Sequence, residues 1–207
     1  MQFAFTDEQE LLRREARAAL ANGGWTREEI AGAGLSFLDR AVLYEEGGRA
    51  NVGESLFDES RPREEQLAAL ALEAVGIASK ALELAVEHAR TREQFGRPIG
   101  VYQAVSHPLA DTYVETELAR SLAYWGAWAV SESDDQAPVA VAAAKAFCGD
   151  AAVAACERSI QVHGGIGFTW EHVLHRYYKR ALAIQAYGGH ARKHRADVAA
   201  WLFDRPA

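Results

Sequence analysis

The 207 residues predict an all-α protein whose core is an antiparallel four-helix bundle, and three features lead there. Long windows repeat their apolar residues in steps of three and one, the spacing of a buried helical stripe. Short breaks rich in glycine, proline or aspartate separate these windows, as the tight connections of a bundle require. No stretch alternates apolar and polar residues over a useful strand length.

The elements follow in order. Thr6-Asp7-Glu8-Gln9 has the form of a capping box, so a helix is expected from Glu8 to Ala21 with Leu11, Leu12, Ala16 and Leu20 as its stripe. Asn22-Gly23-Gly24 stops it. A short helix is expected from Thr26 and another from about Leu35 to Gly47. The glycine-bearing, weakly periodic stretch that leads on to Pro62 reads as a linker, over residues 51–62. From Glu64 to Arg92 the apolar set Leu67, Leu70, Ala71, Ala74, Val75, Ala78, Ala81, Leu82, Ala85, Val86 and Ala89 marks one continuous helix. Glu73, Lys80, Glu83, Glu87 and Arg90 fall on its polar side. Gly96, Pro98 and Gly100 break the chain before a second long helix, about Tyr102 to Ser133. A third, alanine-rich helix is expected from about Pro138 to His163, a fourth from Trp170 to about Tyr187, and a last amphipathic one to the end. Small residues on the third helix let its neighbours approach closely. The bundle therefore occupies residues 63–207.

Bulk properties narrow the function. A composition 49% hydrophobic and 25% charged is that of an ordinary globular chain, long enough to bury a core without a metal or disulfide. The net charge of −7 argues against nucleic acid or an anionic membrane as a general partner, since phosphates would be repelled. Cys148 and Cys156, on one helix, would lie about 12 Å apart. That exceeds the disulfide limit of about 7 Å, so thiols and a cytoplasmic location are expected. The first residues show neither a basic nor an apolar leader pattern, and no run of 18 uncharged apolar residues is present.

Three local patterns could carry chemistry. Arg92-Glu93-Gln94-Phe95-Gly96-Arg97-Pro98-Ile99-Gly100, followed by Gln103, puts a fork of donors beside a glycine turn, which suits a phosphate. Its ordinary reading is an arginine complementing a helix C-terminus. Gln161-Val162-His163-Gly164-Gly165-Ile166-Gly167-Phe168 offers backbone that a ligand can lie against, although paired glycines commonly cap a helix. Glu171 and His175, four apart, could face a metal, but no third ligand accompanies them and no metal is expected.

Taken in order and separation, these motifs resemble the C-terminal helical domain of the acyl-CoA dehydrogenase family over residues 66–203. The stretch Phe5-Thr6-Asp7-Glu8-Gln9-Glu10-Leu11-Leu12 is similar to that family's first helix, and Gly34 through Ala50 to a later piece of its N-terminal helical domain. Residues 1–50 thus look like a remnant of that domain. The resemblance implies FAD in a site shared between two subunits. It assigns Arg92, Gln94, Phe95 and Gln103 to the pyrophosphate and adenosine part from one subunit, and Gln161, Gly164 and Gly165 to the same dinucleotide from across the interface. The implied reaction takes the α-proton of an acyl-CoA with a carboxylate while the β-hydride passes to the flavin.

Two departures bear on activity. The family's β-domain has no counterpart in the short segment between the helical parts. The usual base position falls on Gly188, the alternative one on Gln66, and neither can take a proton. Glu64, Glu65, Glu73 and His190 are the proton acceptors nearest those positions. His190 and Arg192 replace the hydroxyl and amide residues that usually touch adenine. The expectation is a subunit that completes an FAD site with a full-length acyl-CoA dehydrogenase-like partner, or with a second copy of itself. The alternatives are a non-catalytic scaffold or assembly subunit, and a flavin-free acid–base enzyme using His163 or His190.

Overall fold

The computed structural model describes residues 5–22, 24–26, 28, 30 and 34–204. In chain order they form α1 (Asp7–Ala21), α2 (Phe37–Ala50), the one-turn α3 (Gly53–Leu56) and α4 (Arg63–Thr91). A two-stranded hairpin, β1 (Glu93–Gln94) with β2 (Arg97–Pro98), and a 3-10 turn (Ile99–Val101) lead into α5 (Gln103–Ser131). Then come α6 (Ala137–His163), a second 3-10 turn (Gly164–Phe168), α7 (Leu174–Ala186) and α8 (Ala191–Phe203). The short helix expected from Thr26 falls largely on residues outside those described.

The capping box at α1 is formed in both directions: Thr6 Oγ1 accepts from the Gln9 amide and Gln9 Oε1 from the Thr6 amide, each at 3.2 Å. Ser36 caps α2 through the Asp39 amide at 3.2 Å, and Asn51 in the left-handed region (φ 57°) ends it.

Helices α4, α5, α6 and α7 run alternately up and down and make the bundle. α6 lies against α4, α5, α7 and α8, and its length is buried accordingly. The core is a small-residue one: Ala74, Ala78 and Ala81 of α4 meet Ala119, Ala123 and Ala127 of α5 and Ala144, Ala152 and Ala155 of α6. Short side chains bring the helix axes together, and Leu72, Ile77, Leu174 and Ile184 fill the wider gaps. The segment Ala137–Phe168 has an 18-residue window of hydropathy 1.6, enough by length and composition to cross a membrane, but 72% of that window is buried in the bundle. Cys148 and Cys156 are free, buried thiols pushed up to about 12 by desolvation.

The N-terminal helices pack on the bundle. α2 crosses α4 where two glycines meet backbone: a Cβ at Gly48 would sit 2.0 Å from the Glu73 carbonyl oxygen, and one at Gly76 would sit 1.9 Å from that of Glu45. Beside this crossing the adjacent buried carboxylates Glu45 and Glu46 take cations from α1 and α5. Arg17 of α1 grips Glu46 at 2.7 and 2.8 Å, Arg120 of α5 reaches Glu45 at 2.9 Å, and the Tyr124 hydroxyl donates to Glu45 at 2.8 Å. Within the stretch read as a linker, α3 carries buried Leu56, which packs with Ala16, Leu20 and Leu43.

Two sequence readings need correction. Glu73 is not on a solvated face: it is 3% exposed and forms a two-pronged ion pair with Arg180 of α7, at 2.6 and 2.8 Å. The fourth bundle helix starts at Leu174 instead of Trp170, because His172 Nδ1 accepts the Leu174 amide at 3.3 Å and ends the preceding turn there.

Candidate functional site

α4 ends because Arg92 turns extended (φ −75°, ψ 124°). Its amide still bonds the His88 carbonyl at 2.8 Å, and its own carbonyl accepts from Ile99 at 2.8 Å, which closes the hairpin. The two turn residues, Phe95 (φ 54°) and Gly96 (φ 78°), are both left-handed, as a two-residue hairpin needs. Glycine adopts that conformation freely; for Phe95 it costs about 1–2 kcal/mol. Burial does not offset this, since Phe95 is 92% exposed. Arg97 lies over the Tyr102 ring at 4.6 Å and the Tyr102 hydroxyl donates to the Gln94 carbonyl at 3.2 Å, so the hairpin is braced from below. An aromatic ring held out on strained backbone is poised to stack on a ligand or partner.

The glycine turn after α6 is shaped differently. Gly164 (φ 64°, ψ −138°) occupies a region essentially closed to residues with a Cβ. At both Gly164 and Gly165 an added Cβ would meet nothing, so their exposed backbone is open to a visitor. Gly167 serves packing instead, since a Cβ there would lie 2.8 Å from the Ile160 carbonyl oxygen.

Helix direction brings these motifs together: α4 and α6 point the same way and end side by side, with the start of α5 between. The His88 and His163 rings stack at 4.4 Å, and Val162 shares an apolar cluster with Val86, Ile99 and Val105. Arg92, Gln94, Phe95, Gln103, Gln161, Gly164 and Gly165 therefore lie on one end of the bundle, and all seven are exposed. The two sets that the resemblance distributes across a subunit interface are presented here by a single chain. Among the described residues, no hydrogen bond engages the side chains of Arg92, Gln103 or Gln161, while Gln94 Nε2 donates to the Glu93 carbonyl at 2.7 Å.

Gln66 and Gly188 lie at the opposite end, about 39 Å along α4 from Arg92. The structure joins them. Gln66 Nε2 donates to the Glu59 and Arg61 carbonyls at 2.9 and 2.7 Å, and its Oε1 accepts from Tyr187 at 2.9 Å. Arg63 donates to the Gly188 carbonyl at 2.8 Å. The carboxamide at the alternative base position is thus fully spent on holding the 59–61 turn. Of the other candidate acceptors, Glu65 pairs with Arg40 at 3.5 Å and Glu73 with Arg180, while Glu64 is exposed at the helix start and His190 is exposed at the N-terminus of α8. A cleft of about 510 Å³ opens beside this end, lined by Phe57, Glu59, Leu70, Ile184 and Tyr187 among others.

Sequence reasoning missed the His88–His163–His172 stack, whose second ring pair is also 4.4 Å apart. His88 stands four residues before Arg92, one helical turn, and that spacing was the available signal. No three His, Cys, Asp or Glu among the described residues are arranged to hold a metal. His175 Nδ1 is instead engaged with the His172 carbonyl at 2.8 Å.

Comparison with known proteins bears on this arrangement. Residues 64–203 match the family profile described as acyl-CoA dehydrogenase, C-terminal domain. The chain is 43% identical over 112 residues to the acyl-CoA dehydrogenase IpdE2 of Mycobacterium tuberculosis, covering 54% of this chain and 33% of that protein. It superposes on a chain of the ChsE4–ChsE5 complex of Mycobacterium tuberculosis with a TM-score of 0.66 and 33% identity, covering 70% of this chain and 39% of that one. An FAD complex of PigA gives a TM-score of 0.62 at 27% identity, over 65% of this chain and 35% of that one. The chain spans about a third of the length of the curated relatives it matches.

Proposed function

Because the chain belongs to the acyl-CoA dehydrogenase family, through that family's C-terminal domain, we propose that it is one subunit of a flavin-dependent acyl-CoA dehydrogenase assembly. In this reading it clasps the dinucleotide half of an FAD whose ring, base and acyl-CoA substrate are held by a full-length partner subunit. The observation that carries the proposal is the gathering of seven exposed residues at one end of the bundle, among them Arg92, Gln103 and Gln161, whose side-chain donors no hydrogen bond within the described residues engages. The opposite end, where a base would stand, is tied into the fold.

The residues fit a diphosphate. Arg92 supplies a planar fork of N–H donors to two phosphate oxygens, and the Gly164–Gly165 backbone lets the chain of phosphates approach without steric interference. Gln103 and Gln161 add neutral donors, and Phe95 offers a face for stacking. When bound, FAD supplies the hydride acceptor for α,β-desaturation. Partners such as this are seen in the family, for the ChsE4–ChsE5 complex is a pairing of two different chains. A second copy of this chain is the disfavoured partner, because neither copy would bring a base at position 188 or 66.

Co-expression with a full-length acyl-CoA dehydrogenase from the same organism and purification through this chain tests the proposal. We expect a yellow complex with flavin absorbance, and a colourless one for the double variant Arg92→Ala/Gln161→Ala. A colourless wild-type complex would sink the reading. It would leave the assembly role that the closed Gln66–Gly188 end equally fits.

A further inference from the structure

The three stacked imidazoles border the open glycine turn. His163 precedes Gly164 directly, and His88 lies one helical turn before Arg92. His88 and His163 stack nearly parallel (29°) and His163 and His172 are tilted (51°), each pair at 4.4 Å. Their hydrogen bonds define where a proton can go. His163 Nδ1 sits 2.8 Å from the Ser159 carbonyl, so it carries a hydrogen and leaves Nε2 with a lone pair. His172 Nδ1 accepts from the Leu174 amide at 3.3 Å, so protonating it would break the bond that starts α7. The added proton therefore belongs on His88, at the C-terminus of α4, where the helix dipole favours a cation.

What faces the stack is cationic or neutral. α4 contributes Arg92, the segment after the glycine turn contributes His172 and His175, and α5 contributes apolar Val105 and Leu109. The carboxylate on that segment, Glu171, is exposed. Desolvation first, then the neighbouring His163 and Arg92, hold His88 below the ordinary histidine range; desolvation and then His163 and His175 do the same to His172. Among the described residues, no carboxylate pairs with His88 or His172.

We propose that this stack makes diphosphate binding at this end proton-linked: a dinucleotide arriving at Arg92 and Gly164–Gly165 brings the missing negative charge, and His88 takes up a proton with it. The inference rests on reading this end as a dinucleotide site. A base whose protonated form is stabilised only in the bound state takes up a proton on binding, so affinity rises as pH falls. Cationic imidazole then stands beside the phosphates, and His88 serves as a charge reserve that ligand-free protein does not display.

The test is FAD titrated into the purified chain, alone and with its co-expressed partner, across about pH 6 to about pH 8. FAD suits it because its diphosphate is a diester that does not titrate in that range. We expect affinity to rise about tenfold as pH falls from about 8 to about 6, with proton uptake visible as a dependence of calorimetric heat on buffer ionisation enthalpy. His88→Asn should reduce the rise to less than about twofold. In wild type the His88 ring C–H resonances should report a higher midpoint with FAD than without, which needs no variant to fold. FAD binding with a flat pH profile, or an unchanged slope in His88→Asn, overturns the linkage and leaves the proposed function standing. No FAD binding at any pH, alone or with the partner, overturns both.

Discussion

Lys145 shows how a single buried charge sets the pH response of this bundle. Its side chain lies in α6 at 2% exposure, with one long hydrogen bond to the Gln185 carbonyl at 3.4 Å. Burial outweighs the attraction of Cys148 and Asp150 and brings its pKa down to about 8. Below that pH the lysine is charged folded or unfolded, and the folded state carries the full desolvation penalty. Between about 8 and the unfolded value the unfolded chain binds the extra proton, so this residue's share of stability rises with pH. Lys145→Met should therefore be more stable than wild type near neutrality by about 1–3 kcal/mol, with the gap closing as pH rises toward 10. Thermal melts of both proteins across that range check it, and a gap constant with pH would refute it. Glu73 is the opposite case, a buried charge that is fully partnered. Helical periodicity placed it on the polar side because its position in the sequence does not show Arg180, which arrives from another helix and neutralises it.

At the scale of elements, most of the bundle was legible: stripes of small apolar residues have one stable reading, and glycine or aspartate clusters mark the ends. The hairpin after α4 was not, because a strand of two residues has no periodicity to read. It exists through the Arg92–Ile99 hydrogen bond and the left-handed pair Phe95–Gly96. The docking of α2 on α4 was equally hidden, although the glycines that permit it were in view. Glycine inside a helix costs about 1 kcal/mol relative to alanine, so an interior Gly76 signals a demand stronger than propensity. Gly76→Ala should destabilise the fold by about 3 kcal/mol, the clash with the Glu45 carbonyl overriding the gain in helix propensity. Denaturant unfolding measures it; a neutral or stabilising result would mean that α2 is not held where the structure has it. The candidate site was legible as separate motifs, but not as one place. Only the parallel course of α4 and α6 brings Arg92 and Gly164 to the same end.

For the whole molecule, the separation of the two ends decides stoichiometry. A flavin gripped at the Arg92 end cannot reach Gly188, about 39 Å away along α4. The chain, in the proposed assembly, would lend its dinucleotide end to one flavin and would have no base end to offer another. In the proposed assembly one flavin should be found per pair of unlike chains, and absorbance against protein mass would reveal two if this is mistaken. The N-terminal helices belong to the same body, since Arg17 from α1 and Arg120 and Tyr124 from α5 converge on Glu45 and Glu46 of α2. The closure around Gly188 also has an evolutionary consequence. Gly188→Glu would put a side chain on backbone at φ 70°, costing about 1–2 kcal/mol, with its Cβ 2.7 Å from Leu67 and the Arg63 guanidinium beside it to hold the carboxylate ionised. Placing a carboxylate there would require several coordinated changes, each unfavourable on its own. In the proposed assembly, dependence on a second chain would therefore act as a ratchet.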